Sequence, residues 1–255
     1  MCLILFAWNP GAEDQLIVAA NRDEFYNRPS QNAHFWESNQ QIFAGKDLQQ
    51  QGTWLGVTKT GRFAAVTNYR KPDKSQYPLS RGALTTNFLN SDCSPEQYLQ
   101  QVLVEQDQYA GFNLLVGDRS SLYYYSNRSD QQPQSLTTGI YGLSNHLLNT
   151  PWPKVTTGVT EFSRIVKDKT DTFSDQEKHL LNLLQNDSTA DEALLPETGV
   201  GIIIEKMLSP LFIKSPSYGT RASTVVRIQN NGNIHFLEQN YSAGGMPAEK
   251  VTYHA

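Results

Sequence analysis

The second residue of the chain is a cysteine, and the methionine before it is of the kind that is removed when so small a side chain follows. Removal makes Cys2 the chain terminus, with a thiol and an α-amine whose reference pKa is roughly 7.7–8.0. Such an amine can take the thiol proton directly or through water, so nucleophile and base come from one residue and no catalytic histidine is needed. Read alone, Cys2 is either that nucleophile or a small buried residue opening a strand, the commoner role of cysteine. A polar cluster, Asn21-Arg22-Asp23-Glu24, follows the second apolar run of the chain. Asn68 and Asn145 each close an apolar run. An asparagine amide there either donates to an oxyanion, worth roughly 3–4 kcal/mol of barrier, or simply ends a strand. Arg221 opens a late apolar run, as an exposed edge charge or as a cation that favours the thiolate.

The elements that must position these groups can be read from period and punctuation. Leu3 to Trp8 and Leu16 to Ala20 are apolar runs around an Asn9-Pro10-Gly11 turn, so they form a hairpin. One reversal brings Cys2 and the polar cluster to the same end of the sheet. Neighbours on a strand point to opposite faces, so Arg22 and Asp23 cannot both face the thiol unless the strand ends or bulges, and Asn21 shares the face of Asp23. Residues 27–51 read as a long polar connection, either a surface loop or a lid. Strands are expected at 53–58, 62–68, 112–117, 121–126, 136–143, 221–229 and 233–239. Helices are expected at 80–89, from Ser94 with a capping box to Gln97, from Pro151 or Pro153, and from a capping box at Ser174 to Glu177. A short buried helix is expected at 201–208, and a loosely held polar tail from Tyr241. Strands grouped with helices, without regular alternation, indicate an α+β fold of mainly antiparallel sheets. No repeat or linker divides the chain, so residues 1–255 form one domain.

Met-Cys-Leu-Ile-Leu-Phe at the start, Ala20 to Pro29, Gly52 to Gly56, Val66 to Arg70, Ser80 to Gly82, Gly142 to Asn145, Thr150 to Lys154 and Gly219 to Thr224 follow one another over nearly the whole chain. This series resembles the NRDE family, whose relatives include the transport and Golgi organisation 2 proteins. More distantly, Cys2, Arg22, Asp23, Asn145 and Arg221 stand in the order seen in N-terminal-nucleophile hydrolases of the penicillin V acylase and bile salt hydrolase type. There the Arg and Asp are separated, whereas here they are adjacent. The resemblance implies a four-layer αββα sandwich and a catalytic set of Cys2, Arg22, Asp23, Asn68, Asn145 and Arg221. Asn21, Trp54, Tyr69 and Arg81 are placed with it as substrate-binding residues.

Two functions follow. In the first, an amidohydrolase cleaves a non-peptide C–N bond through a thioester on Cys2, with Asp23 holding the amine and Asn145, with Asn68 or a backbone N–H, steadying the oxyanion. In the second, implied by eukaryotic relatives, the scaffold is a non-catalytic carrier of haem or of a lipid or acyl-CoA. The partner is then a small amide, acyl or haem ligand, no cofactor is required, and haem enters only as cargo. The composition is ordinary, 18% charged with a formal net charge of -4, and gives no basic patch for nucleic acid. No serine-nucleophile elbow or phosphate-binding glycine loop is present. His34, His146, His179, His235, His254 and the two cysteines show no metal-ligand spacing. The apolar start, about seven residues with no basic residue before it, is too short for a signal-peptide core or a membrane span, so a cytoplasmic location is expected.

Overall fold

The computed structural model describes residues 2–168 and 170–255, so the removal of Met1 concerns a residue outside the described ones. The chain enters as β1 (Cys2–Trp8) and β2 (Asp14–Phe25), then β3 (Ser30–Trp36), β4 (Asn39–Asp47), β5 (Leu55–Thr58) and β6 (Phe63–Asn68). Helices α1 (Arg81–Asn90) and α2 (Pro95–Glu105) precede β7 (Phe112–Gly117), β8 (Leu122–Ser126), β9 (Gln134–Ser135) and β10 (Gly139–Leu143). Then come α3 (Pro153–Lys167), α4 (Phe173–Leu184) and α5 (Ile202–Met207), followed by β11 (Tyr218–Gln229), β12 (Ile234–Ser242) and β13 (Met246–His254). One sheet has the order β10-β1-β2-β11-β12-β13 and the other runs β3 to β9 in sequence. Every strand pairing in both is antiparallel.

The sheets face each other across a core that takes Ile4, Phe6 and Trp8 from β1, Val18 and Ala20 from β2, and Phe63, Ala65 and Leu115 from the other sheet. The opposite face of the second sheet meets α1 and α2 through Val66, Leu84, Phe88 and Leu99. The opposite face of the first meets α3 and α4 through Leu3, Leu5, Ala19, Phe162 and Leu180. The order helix, sheet, sheet, helix is the four-layer αββα sandwich that the resemblance implied. It explains why β1 is apolar at nearly every position: both its faces are covered, so alternation disappears. Each fully buried Leu or Phe contributes about 1.5–3 kcal/mol. Helix α3 lies so close to β10 that a Cβ on Gly142 would come within 2.6 Å of Val159 Cγ2, so Gly142→Ala would lift the helix off the sheet.

Local signals explain the helix starts. Ser94 and Gln97 form a reciprocal capping box with Pro95 at the first helical position, and Ser80 caps α1 by accepting from Gly82 N–H. Four expectations need correction. The polar connection at 27–51 is two strands, β3 and β4, at the edge of the second sheet. The tail after Tyr241 is held as β13, paired along β12. Helix α4 is capped by Thr172, whose side chain accepts from Asp175 N–H, and not by Ser174. Helix α5 is the reverse of a buried apolar helix: Ile202, Ile203 and Ile204 are exposed while Glu205 is buried.

Candidate active site

Strand parity decides what surrounds Cys2. Even-numbered residues of β1 and β2 face the second sheet, so Cys2 and its register partner Arg22 face the space between the sheets. Beyond the filled core this space opens into a cavity of about 950 Å³, lined by Cys2, Arg22, Asn68, Trp54 and Arg81 among others. A volume of this size suits a small-molecule ligand. Burial pushes the Cys2 thiol up, and the Asp23 carboxylate acts in the same direction. The Arg22 guanidinium and the backbone N–H of Asp23, which donates to the sulfur, oppose it.

The cavity side of β2 carries a chain of charges. Arg22 lies 3.5 Å from Asp47, and Arg28 Nε donates to the same carboxylate at 2.6 Å and lies 3.8 Å from Glu24. Burial raises the Asp47 carboxyl, but Arg28, the Gln50 N–H and Arg22 outweigh it and hold the group below the usual carboxylate range. Glu238, wholly buried, accepts from Ala33 N–H and Asn240 Nδ2, and burial pushes its carboxyl up.

Odd-numbered residues of β2 turn to the helix layer. Asp23 is buried there and accepts from Thr220 Oγ1 at 2.7 Å, while Tyr218 Oη donates to its backbone carbonyl at 3.0 Å. Burial raises the Asp23 carboxyl, and Lys154 is the side-chain cation that opposes this most. Lys154, in the first turn of α3, is buried and donates to Leu208 O at 3.1 Å. Burial, with Arg70 nearby, brings its ammonium down to about 8. Arg70 donates to Glu205 at 2.5 Å inside the protein and lies over the Trp152 ring at 4.6 Å. Its Nε and Nη2 are buried with no hydrogen-bond partner among the described residues.

The expected site residues divide accordingly. Cys2, Arg22, Asp23, Asn68, Trp54, Arg81 and Arg221 line the cavity, whereas Asn21, Tyr69 and Asn145 do not. Asn21 shares the face of Asp23, but its amide donates to Leu184 O and Leu211 O, pinning the helix layer to β2. Tyr69 Oη pairs with His146 Nε2 at 2.7 Å. Asn145 is fully buried and donates to the Asn68 carbonyl at 3.0 Å, so it braces Asn68. Asn68 lines the cavity, and its side chain has no hydrogen-bond partner among the described residues. Arg221 is the extra residue of a bulge, between Thr220 opposite Asp23 and Ala222 opposite Arg22. It donates to Phe25 O, Arg28 O and Ser30 Oγ and so clamps the β2–β3 turn. The cation opposite the thiol is Arg22. Sequence reasoning missed Lys154, Asp47 and Glu238. Lys154 ends the Thr150-Pro151-Trp152-Pro153-Lys154 stretch, and a lysine one position inside a proline-started helix is the signal that was there to be read.

The Transport and Golgi organisation 2 family model matches residues 1–243. The chain is 38% identical over 260 residues to the Transport and Golgi organization protein 2 homolog of Homo sapiens, covering 94% of this chain and 93% of the relative. It is 36% identical over 274 residues to the homolog of Bos taurus, covering 100% and 98%. Among solved structures it is similar to a C2A mutant of the conjugated bile acid hydrolase from Clostridium perfringens, with a TM-score of 0.49 and 9% identity over 99% of this chain and 92% of that one.

Proposed function

The chain belongs to the Transport and Golgi organisation 2 family, and within that family we propose that it acts as an N-terminal-cysteine amidohydrolase on a non-peptide C–N bond. The observation that carries this reading is the placement of Cys2. It begins a central strand at the wall of a cavity of about 950 Å³, with Arg22 opposite it and the Asp23 N–H on its sulfur. With Met1 removed, the Cys2 amine takes the thiol proton and the sulfur attacks the amide carbonyl. The C–N bond breaks, the leaving amine departs with that proton, and water then cleaves the thioester to the acid and the free thiol. Asp23 orients the amine from the helix side, and the unpartnered Asn68 amide supplies a donor to the oxyanion.

Intact mass of the purified protein, before and after an electrophilic amide-hydrolase probe, tests this. The expected result is a chain lacking Met1 that gains one adduct, absent in Cys2→Ala. Retained Met1, or labelling at Cys93 alone, overturns it. A second reading, a carrier of haem or an acyl group, draws support from the same volume. No histidine is among the described residues lining the cavity, so an iron ligand there would be Cys2 or a tyrosine such as Tyr26. Titration with haem, read by its absorption band, separates the two. No described helix is long and apolar enough to cross a membrane, and we propose that the protein works in the cytoplasm.

A further inference from the structure

An arginine guanidinium carries five N–H donors, and the cavity can be audited for which of them have partners. Arg22 and Arg28 share the Asp47 carboxylate. Arg221 donates to two carbonyls and a hydroxyl. Arg81 differs from all three. It stands in the first turn of α1, lines the cavity and makes a single side-chain hydrogen bond among the described residues, from Nη1 to Gly111 O at 3.2 Å. No carboxylate of the described residues lies within salt-bridge distance of it. Burial lowers its pKa, and among the charges that support its protonated form the Cys2 sulfur comes first. A half-buried cation at a cavity wall, with no carboxylate beside it, can take an anion as its partner.

The rest of the lining limits what that anion can be. Five basic and five acidic residues line the cavity; the Asp23 side chain turns to the helix layer, so the charges of the lining nearly cancel. A polyanion would meet Glu24, Asp47 and Glu238 at once. Two lining cations, Arg81 and Lys46, have no carboxylate within salt-bridge distance among the described residues. Lys46 lies over the Trp36 ring at 5.1 Å, and only the planar fork of Arg81 matches the two oxygens of a carboxylate.

We propose that Arg81 binds the carboxylate of the ligand beside Cys2, so that the substrate class is an N-acyl amino acid: an acyl chain in the cavity, its amide at the thiol and its carboxylate on Arg81. This rests on the hydrolase reading for the word substrate, but the anion site stands or falls by binding alone.

The test uses full-length Cys2→Ala, which cannot turn the ligand over, titrated calorimetrically with N-octanoylglycine and with its neutral isostere N-octanoylglycinamide. The acid is expected to bind about tenfold or more tightly than the amide, in line with a charge-assisted hydrogen-bond pair. Arg81→Met on the same background should bring the ratio close to one, and Arg81→Lys, which keeps the charge but loses the fork, should leave part of it. Equal affinities in Cys2→Ala, no binding of either compound, or a preference that survives Arg81→Met overturns the proposal. The preference in Cys2→Ala is measured with Arg81 intact, so a poorly folding Met variant does not remove the test. Hydrolysis by the native chain is scored separately. If Cys2→Ala discriminates and the native protein hydrolyses neither compound, the hydrolase reading fails and the anion site remains.

Discussion

Two sets of charges lie on opposite faces of β2, one residue apart in sequence. Arg22, Asp47, Arg28 and Glu24 line the cavity and keep some access to water. Asp23, Lys154, Arg70 and Glu205 sit under the helix layer, all nearly inaccessible. The first set is a chain in which each cation has an acid and solvent screens the remainder. In the second, desolvation governs every shift: Asp23 is raised by burial, and Lys154 and Arg70 are lowered by it. Such a cluster is tolerable only while each charge keeps its opposite, because removing one partner leaves an uncompensated ion in a dry place. The cavity side can therefore adapt to a ligand, while the helix side fixes the Asp23 end of the site.

The comparison is broken most directly at Glu205. Glu205→Ala strands Arg70 and should cost about 3–5 kcal/mol, read as a large drop in the urea midpoint. Replacing both members of the pair with Met should recover much of that loss. If Glu205→Ala is no worse than a surface substitution, the buried cluster is not the rigid half of the site.

Lys154 sharpens the contrast through pH. Its folded value is about 8 against an ordinary 10.5, so between these values the unfolded chain binds more protons than the native one. Stability linked to Lys154 therefore rises with pH across that window. Lys154→Met should abolish that rise between about pH 8 and 9, below the tyrosine range around 10, measured as unfolding free energy at several pH values. A parallel profile in the variant counts against a desolvated lysine.

The smallest effect is expected on the cavity side. Asp47→Asn should cost below about 1 kcal/mol, with the wild-type advantage shrinking in added salt. Because the Asp47 carboxyl is held low, its contribution is present above the ordinary carboxylate range and is lost as pH falls through the folded value. The Asn variant should lack that acid-side loss. A salt-independent penalty of several kcal/mol would make the two faces alike.

The first hairpin was legible because Leu3 to Trp8 and Leu16 to Ala20 are apolar on both sides of a marked turn, and its register alone sets Cys2 opposite Arg22. The capping box at Ser94 was legible because both partners lie within four residues. What escaped was set by distant partners. Ser30 to Trp36 carries no β-branched residue, and part of what holds it is Glu238 of β12, which accepts from Ala33 N–H. Glu205 looked like the polar exception of an apolar helix, yet it is the buried member because Arg70, far away in sequence, meets it. Hydropathy reads Ile202 to Ile204 as core, and only the fold shows that no layer covers them. Asn145 was placed in the site by the resemblance and Asn21 by sharing the face of Asp23, but their amides are taken by carbonyls that sequence cannot place.

The position of Cys2 at the start of a central strand has a consequence for biosynthesis. The thiol leaves the ribosome before any other described residue, but Lys154, Thr220 and the strands β10 and β11 that flank the hairpin come from the second half of the chain. At about 5–20 residues per second, translation leaves β1 and β2 without those neighbours for roughly 10–50 s. During that interval the groups that hold Asp23, namely Lys154 and Thr220, do not yet exist. A chain released early therefore carries Cys2 without the strands and side chains that surround it in the folded protein.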